Sequence, residues 1–96
     1  MVMNNRKELL ENLYAAFLQA ETEQELALFL EDLCTIKELE SMSQRLKAAK
    51  MLLEGKTYNE IVEETDISSA TLARVSKCVR YGNGGYKKII SKPDKK

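Results

Sequence analysis

The chain reads as an all-α protein of five to six helices that contains a helix-turn-helix, and three observations predict this class. Capping boxes, in which a threonine oxygen takes an orphan amide while a glutamate three residues on reaches back, recur at Thr22/Glu25, Thr35/Glu38 and Thr57/Glu60. Apolar residues recur at steps of three and four through most of the sequence, which is the period of a helix with one buried face. No β-branched alternation or hairpin signal precedes the tail, and no internal repeat is visible.

In order along the chain, Leu9, Leu10, Leu13, Tyr14, Phe17 and Leu18 predict a first helix over about residues 5–20. A second, short helix carries Leu26, Phe29, Leu30 and Leu33. These two stripes are wide for so few residues, and a short two-helix unit cannot bury them by folding on itself. A partner chain is the expected cover; folding back on the third helix is the alternative. That third helix, residues 36–54, places Leu39, Met42, Leu46, Ala49 and Leu53 on one face and stops at Gly55, a residue suited to a left-handed cap.

From Thr57 a brief helix with Ile61 and Val62 leads into a turn at Thr65, Asp66 and Ile67. A helix capped by Ser68 follows, with Leu72, Val75 and Val79 inward. Asp66 stands where such turns usually carry glycine, and aspartate is among the few residues that tolerate a left-handed backbone. With Leu72 and Val75 buried, Ser69, Ala70 and Ala73 fall on the exposed arc at the helix start, and side chains this small let a helix approach base edges in a major groove. In "RYGNGGYKKII" the glycines 82, 84 and 85 predict a turn, and any sixth helix must be short. They form no phosphate loop, since no strand precedes them and no GK[ST] ending follows. The layout is a single domain over 1–96, with dimerisation helices at 5–33, the central helix at 36–54, the helix-turn-helix at 57–80 and a basic tail at 81–96.

Composition narrows the function classes. A chain of 96 residues buries only roughly 60–70% of the surface its unfolded form exposes, so a monomer has a modest core. No apolar run approaches the roughly 18 residues of a membrane span, and the start lacks a signal peptide's apolar stretch, which predicts a soluble cytoplasmic protein. Cys34 and Cys78 stand far apart in a chain without histidine, which excludes CxxC redox and zinc spacings and predicts two reduced, half-buried thiols. The usual acid, base and nucleophile constellations are missing, so no enzyme, metal or cofactor is implied.

Net charge is zero, but residues 1–40 hold three basic side chains against nine acidic ones, and residues 41–96 hold twelve against six. From Ile67 onward Arg74, Lys77, Arg80, Lys87, Lys88, Lys92, Lys95 and Lys96 face only Asp94. Lys92 to Lys96 read as a solubilising end. Arg74, Lys77 and Arg80 differ in lying within a patterned helix, and a helix-turn-helix whose second helix is basic points to double-stranded DNA.

The segment "LCTIKELESMSQRLKAAKMLLEGKTYNEIVEETDISSATLARVSKC" resembles the Trp repressor family, in particular its branch of short bacterial Trp-repressor-like proteins. The likeness spans about residues 5–80 and is strongest from Leu33 to Cys78. It implies a two-fold homodimer with interlocked amino-terminal helices and two projecting reading heads. It further implies that Asn59 replaces a basic residue used for base contact, while Ser69, Ala70 and Ala73 occupy the groove-facing places. The family's corepressor pocket would fall on Thr35, Arg45, Thr71 and Arg74, whose guanidinium groups suit a carboxylate and an aromatic ring. Two neighbours depart from the family: Val75 stands for a glycine against the indole, and Cys78 for a serine near the ligand amine. Tryptophan is therefore disfavoured as effector.

The expected function is that of a sequence-specific transcription regulator, a repressor acting as a helix-turn-helix homodimer. Its candidate DNA-binding residues are Lys47, Thr57, Tyr58, Asn59, Ser68, Ser69, Ala70, Ala73, Arg74, Lys77 and Arg80. Ser68, Ser69, Ala70 and Ala73 are expected near bases, and Lys47, Thr57, Arg74, Lys77 and Arg80 near phosphates. Two alternatives stand beside it: a dimeric interaction module that keeps the fold without reading DNA, and a regulator sensing a small effector other than tryptophan.

Overall fold

The computed structural model describes residues 2–93, without the side chains of 2–4, so Asp94, Lys95 and Lys96 of the basic end lie outside the described residues. Among these there are six helices and no strand: α1 (Val2–Gln19), α2 (Glu23–Leu33), α3 (Ile36–Leu53), α4 (Tyr58–Thr65), α5 (Ser69–Tyr81) and α6 (Gly85–Ile90). The all-α class and the helix order are those the sequence predicts. The chain divides between Ile36 and Lys37 into two compact units.

The first unit is a helical pair. α1 begins at Val2, three residues ahead of the start expected near residue 5. At the start of α2 the Thr22 hydroxyl accepts the amide of Glu25 at 3.1 Å. The reciprocal half of that box differs from expectation: the Glu25 carboxylate takes the amide of Glu21, at 2.8 Å, instead of the cap's own. Phe17 and Phe29 meet edge to face with ring centroids 5.9 Å apart. Even so, none of the described side chains of this unit is buried. Leu9 is 68% exposed, Leu18 85% and Leu28 67%, so the apolar surplus read from the sequence is open on the single chain.

The second unit holds the core. Ala48, Ala49 and Met51 of α3 cluster with Ile61 of α4, Ile67 of the turn, and Leu72 and Val75 of α5, with Leu52, Val79, Tyr86 and Ile90 packed around them. The buried stripe of α3 is therefore not the predicted one. Of Leu39, Met42, Leu46, Ala49 and Leu53, only Ala49 is buried; Leu39 is half-buried and Met42, Leu46 and Leu53 are exposed. The other helices of this unit come closest over the alanines of α3, and its leucine face stays largely exposed. Val62, read with Ile61 as part of the apolar pattern, is exposed as well.

α4 starts with a complete capping box between Thr57 and Glu60, and Asp66, which ends it, has φ 64° and ψ 17°, the left-handed conformation predicted for this position. Ser68 caps α5 by accepting the amide of Thr71 at 3.2 Å. α5 gives way to α6 at a tight corner: a Cβ on Gly82 would lie 2.4 Å from the Cys78 carbonyl oxygen, and Gly84 has φ 85°. No helix among the described residues is long and apolar enough to cross a membrane. Cys34 is half-buried and Cys78 exposed, both free. Cys78 departs from expectation because its helical phase sets it beside, and not within, the Leu72–Val75–Val79 stripe.

The left-handed Asp66 yields a test. A β-branched side chain is strained there, so Asp66→Val is expected to lower unfolding free energy by about 1–2 kcal/mol, whereas Asp66→Gly leaves it level or slightly higher. Urea denaturation of the two variants measures both; equal losses in both would place the role of Asp66 in its carboxylate and not in its backbone.

Candidate nucleic-acid interface

The helix-turn-helix presents two kinds of surface. Leu72 (0% exposed) and Val75 (3%) pin α5 to the core, which turns Ser69, Ala70, Ala73, Arg74, Lys77 and Arg80 outward. α5 has no acidic residue in its first turn. Its amide end and small side chains therefore offer an approaching phosphate or base edge no repulsive charge. Basic residues follow along the same exposed side. Ser68 is exposed, but its hydroxyl is engaged in the cap and also donates to the Thr71 hydroxyl at 2.9 Å.

At the start of α4, Thr57, Tyr58 and Asn59 are exposed. The Glu60 carboxylate accepts the Thr57 amide at 2.8 Å and its hydroxyl at 3.1 Å, while the Glu60 amide donates back to that hydroxyl at 3.2 Å. These bonds, that of the Thr57 amide first, hold the Glu60 carboxyl below the ordinary carboxylate value, with a smaller contribution from Lys56. Lys47, on α3, is exposed and lies 3.6 Å from Glu64 of α4. The eleven candidate residues thus fall in one unit, all of them exposed.

Residues 8–94 match the family described as Trp repressor protein. The chain belongs to the Trp repressor family. It is 42% identical over 83 residues to the uncharacterised protein YerC of Bacillus subtilis, covering 86% of this chain and 80% of that one. Among solved structures it is similar to a TrpR-like protein from Eubacterium eligens, with a TM-score of 0.84, 43% identity and 86% of each chain covered. It is also similar to a candidate Trp repressor from Staphylococcus aureus, with a TM-score of 0.86, 39% identity, and 94% of this chain and 90% of the other covered. Trp repressor proteins are regulators and not enzymes.

Against the family's ligand positions, Thr35 lies in the first unit and Arg45, Thr71 and Arg74 in the second. Arg45 Nε donates to the carbonyl of Ser41 on its own helix at 3.4 Å, and the Thr71 hydroxyl already accepts from Ser68. Val75 is part of the core cluster. Within the second unit a groove of about 530 Å³ runs between Leu46, Cys78, Gly82, Tyr86, Ile89 and Ile90. Sequence reasoning missed this groove because it depends on where α6 packs. It also missed the ties from Gln44 to Thr65 and from Lys47 to Glu64, since no local pattern pairs residues so far apart.

The capping carboxylate carries a pH dependence of defined sign. A group whose folded-state pKa is depressed stabilises the fold above its unfolded pKa and ceases to do so as pH falls through the folded one. Thr57→Val removes the hydroxyl bond but keeps the amide bond, so the Glu60 carboxyl is expected to titrate higher than in the unmodified protein yet still below the ordinary value. Side-chain carboxyl NMR across the acid range reads this directly, and an unmoved midpoint would remove the hydroxyl from the account.

Proposed function

We propose that this chain is a sequence-specific DNA-binding transcription regulator, a cytoplasmic repressor that acts as a helix-turn-helix homodimer. The observation that carries the reading is α5: a helix pinned to the core along one side and presenting Ser69, Ala70 and Ala73, then Arg74, Lys77 and Arg80, along the other. Membership of the Trp repressor family, and the names of its solved relatives, support it. In this reading Ser68, Ser69, Ala70 and Ala73 lie near bases, with Tyr58 and Asn59 at the groove's edge, and Lys47, Thr57, Arg74, Lys77 and Arg80 lie near phosphates. Dimerisation rests on the uncovered leucines of α1, α2 and α3, which one small core cannot shelter.

The test is a salt titration of binding to a DNA site selected from random sequence. Two basic heads that neutralise roughly 6–10 phosphates should give a slope of log affinity on log salt of about −5 to −9. The double change Lys77→Ala and Arg80→Ala is expected to flatten it by up to about 4, because each residue neutralises up to one phosphate in each subunit. A slope near zero in the unmodified protein, which is expected to sediment as a dimer on either reading, would favour an interaction module instead.

Tryptophan does not fit as the effector. Val75 adds side-chain volume where the family resemblance requires bare backbone, and overpacking of this kind costs about 1–3 kcal/mol, a loss of roughly five- to a hundred-and-fifty-fold in affinity. Calorimetry is expected to detect no saturable tryptophan binding, and millimolar tryptophan no change in DNA affinity. A dissociation constant below about 100 μM, near −5.5 kcal/mol, would show that Thr35, Arg45, Thr71 and Arg74 hold the ligand despite Val75.

A further inference from the structure

The helix-turn-helix is joined to α3 by one directional bond that the outward-facing residues do not account for. Gln44, half-buried on α3, donates from Nε2 to the carbonyl oxygen of Thr65 at 3.0 Å. Thr65 is the last residue of α4, so its carbonyl is among the four that a helix end leaves without an intrahelical amide. The Thr65 hydroxyl donates to the Ile61 carbonyl at 2.7 Å and accepts the Ile67 amide at 3.2 Å, and the Asp66 amide closes on Val62 at 2.9 Å. These bonds make the turn one rigid knot, and Gln44 is the side chain that fastens it to α3. One turn further along α3, the Lys47–Glu64 pair is half exposed at both ends and contributes little.

We propose that Gln44 is a positioning residue that sets the rotation of α5 relative to α3, and through it the spacing of the two reading helices along DNA. The inference rests on the dimeric DNA-binding reading above. The apolar cluster that α3 shares with the helix-turn-helix is non-directional and tolerates small rotations, whereas a hydrogen bond weakens steeply as its angle departs from linear. Only Asp66, Ile67 and Ser68 separate the held carbonyl from α5, and Asp66 is fixed in the left-handed region while Ser68 is fixed by its cap. Holding the Thr65 carbonyl therefore holds the start of the reading helix. In a two-fold dimer any rotation of one head is mirrored in the other, so it appears as a change in their separation. That separation must match half-sites about 34–36 Å, or 10–10.5 base pairs, apart.

The experiment is a spacing series: a site selected with the full chain, then remade with one base pair removed and with one or two added between its halves. The unmodified protein is expected to prefer one spacing sharply. Gln44→Met, equal in length but unable to donate, should bind the selected site roughly tenfold more weakly, the scale of one missing hydrogen bond that leaves a shielded acceptor unpaired. Its profile across the series should flatten, while its affinity for random DNA and its salt slope stay unchanged. Gln44→Lys, which keeps a donor, should keep the profile sharp; Gln44→Glu, which cannot donate when ionised, should behave as Gln44→Met and stands in for it should Gln44→Met not fold. A reduced melting temperature alone would not alter a spacing preference, which separates positioning from stability. A sharp profile that both donorless variants retain overturns the inference and leaves the DNA-binding reading intact. An unmodified protein that selects no sequence, or binds all spacings alike, brings down both.

Discussion

Everything in the second unit depends on how closely the helix-turn-helix can sit on α3. Ala48 and Ala49 are fully buried there, and their small side chains leave room for Ile61 and Leu72, which are fully buried too. Seven buried apolar side chains drawn from three helices and the turn between two of them are a small core. Its economy has a consequence for the outer surface. Leu72 and Val75 fix the phase of α5, and that phase alone decides that the small and basic residues of the helix face outward. Packing and presentation are the same constraint seen from two sides.

The sequence was most legible where a local rule sufficed. The Thr57/Glu60 box and the Thr22 and Ser68 caps marked helix starts, and Asp66 announced a left-handed turn, because caps and turns are set by the nearest few residues. The exposure of Ser69, Ala70 and Ala73 followed from the burial of Leu72 and Val75 a few positions on. What failed was the assignment of faces on α3, where two apolar stripes compete. Leucine and methionine mark the stronger stripe, but alanine permits the closer approach, and only the second fits helices of the same chain. Gln44 was illegible for a different reason: its partner lies 21 residues away, and nothing local distinguishes this glutamine from any solvated one.

Each unit carries an open apolar face, the stripes of α1 and α2 in the first and the leucine face of α3 in the second. Leu46 lines an apolar groove with Tyr86, Ile89 and Ile90, and Ile89 is 65% exposed. The first unit has an aromatic pair, Phe17 and Phe29, but no buried side chain among those described. Surplus apolar surface on both units is what the proposed dimer would cover, each copy completing the other's core in a single folding and assembly transition.

That coupling bears on how such a regulator would respond to its own concentration. If the reading heads are ordered only when the apolar faces of α1 to α3 are covered, DNA affinity and folding share a single dependence on protein concentration, with no separate folded monomer to titrate. The acidic amino-terminal half and basic carboxy-terminal half strengthen this logic. In the proposed dimer, opposite net charges on the two halves of one chain would attract halves of two copies at long range, and the same positive half would then meet the phosphates. Salt weakens both attractions, but unequally. Counterion release at DNA grows with the number of phosphates neutralised, whereas burial of leucine surface is scarcely affected by modest salt, so for the proposed dimer rising ionic strength would remove the protein from DNA before it separated the copies.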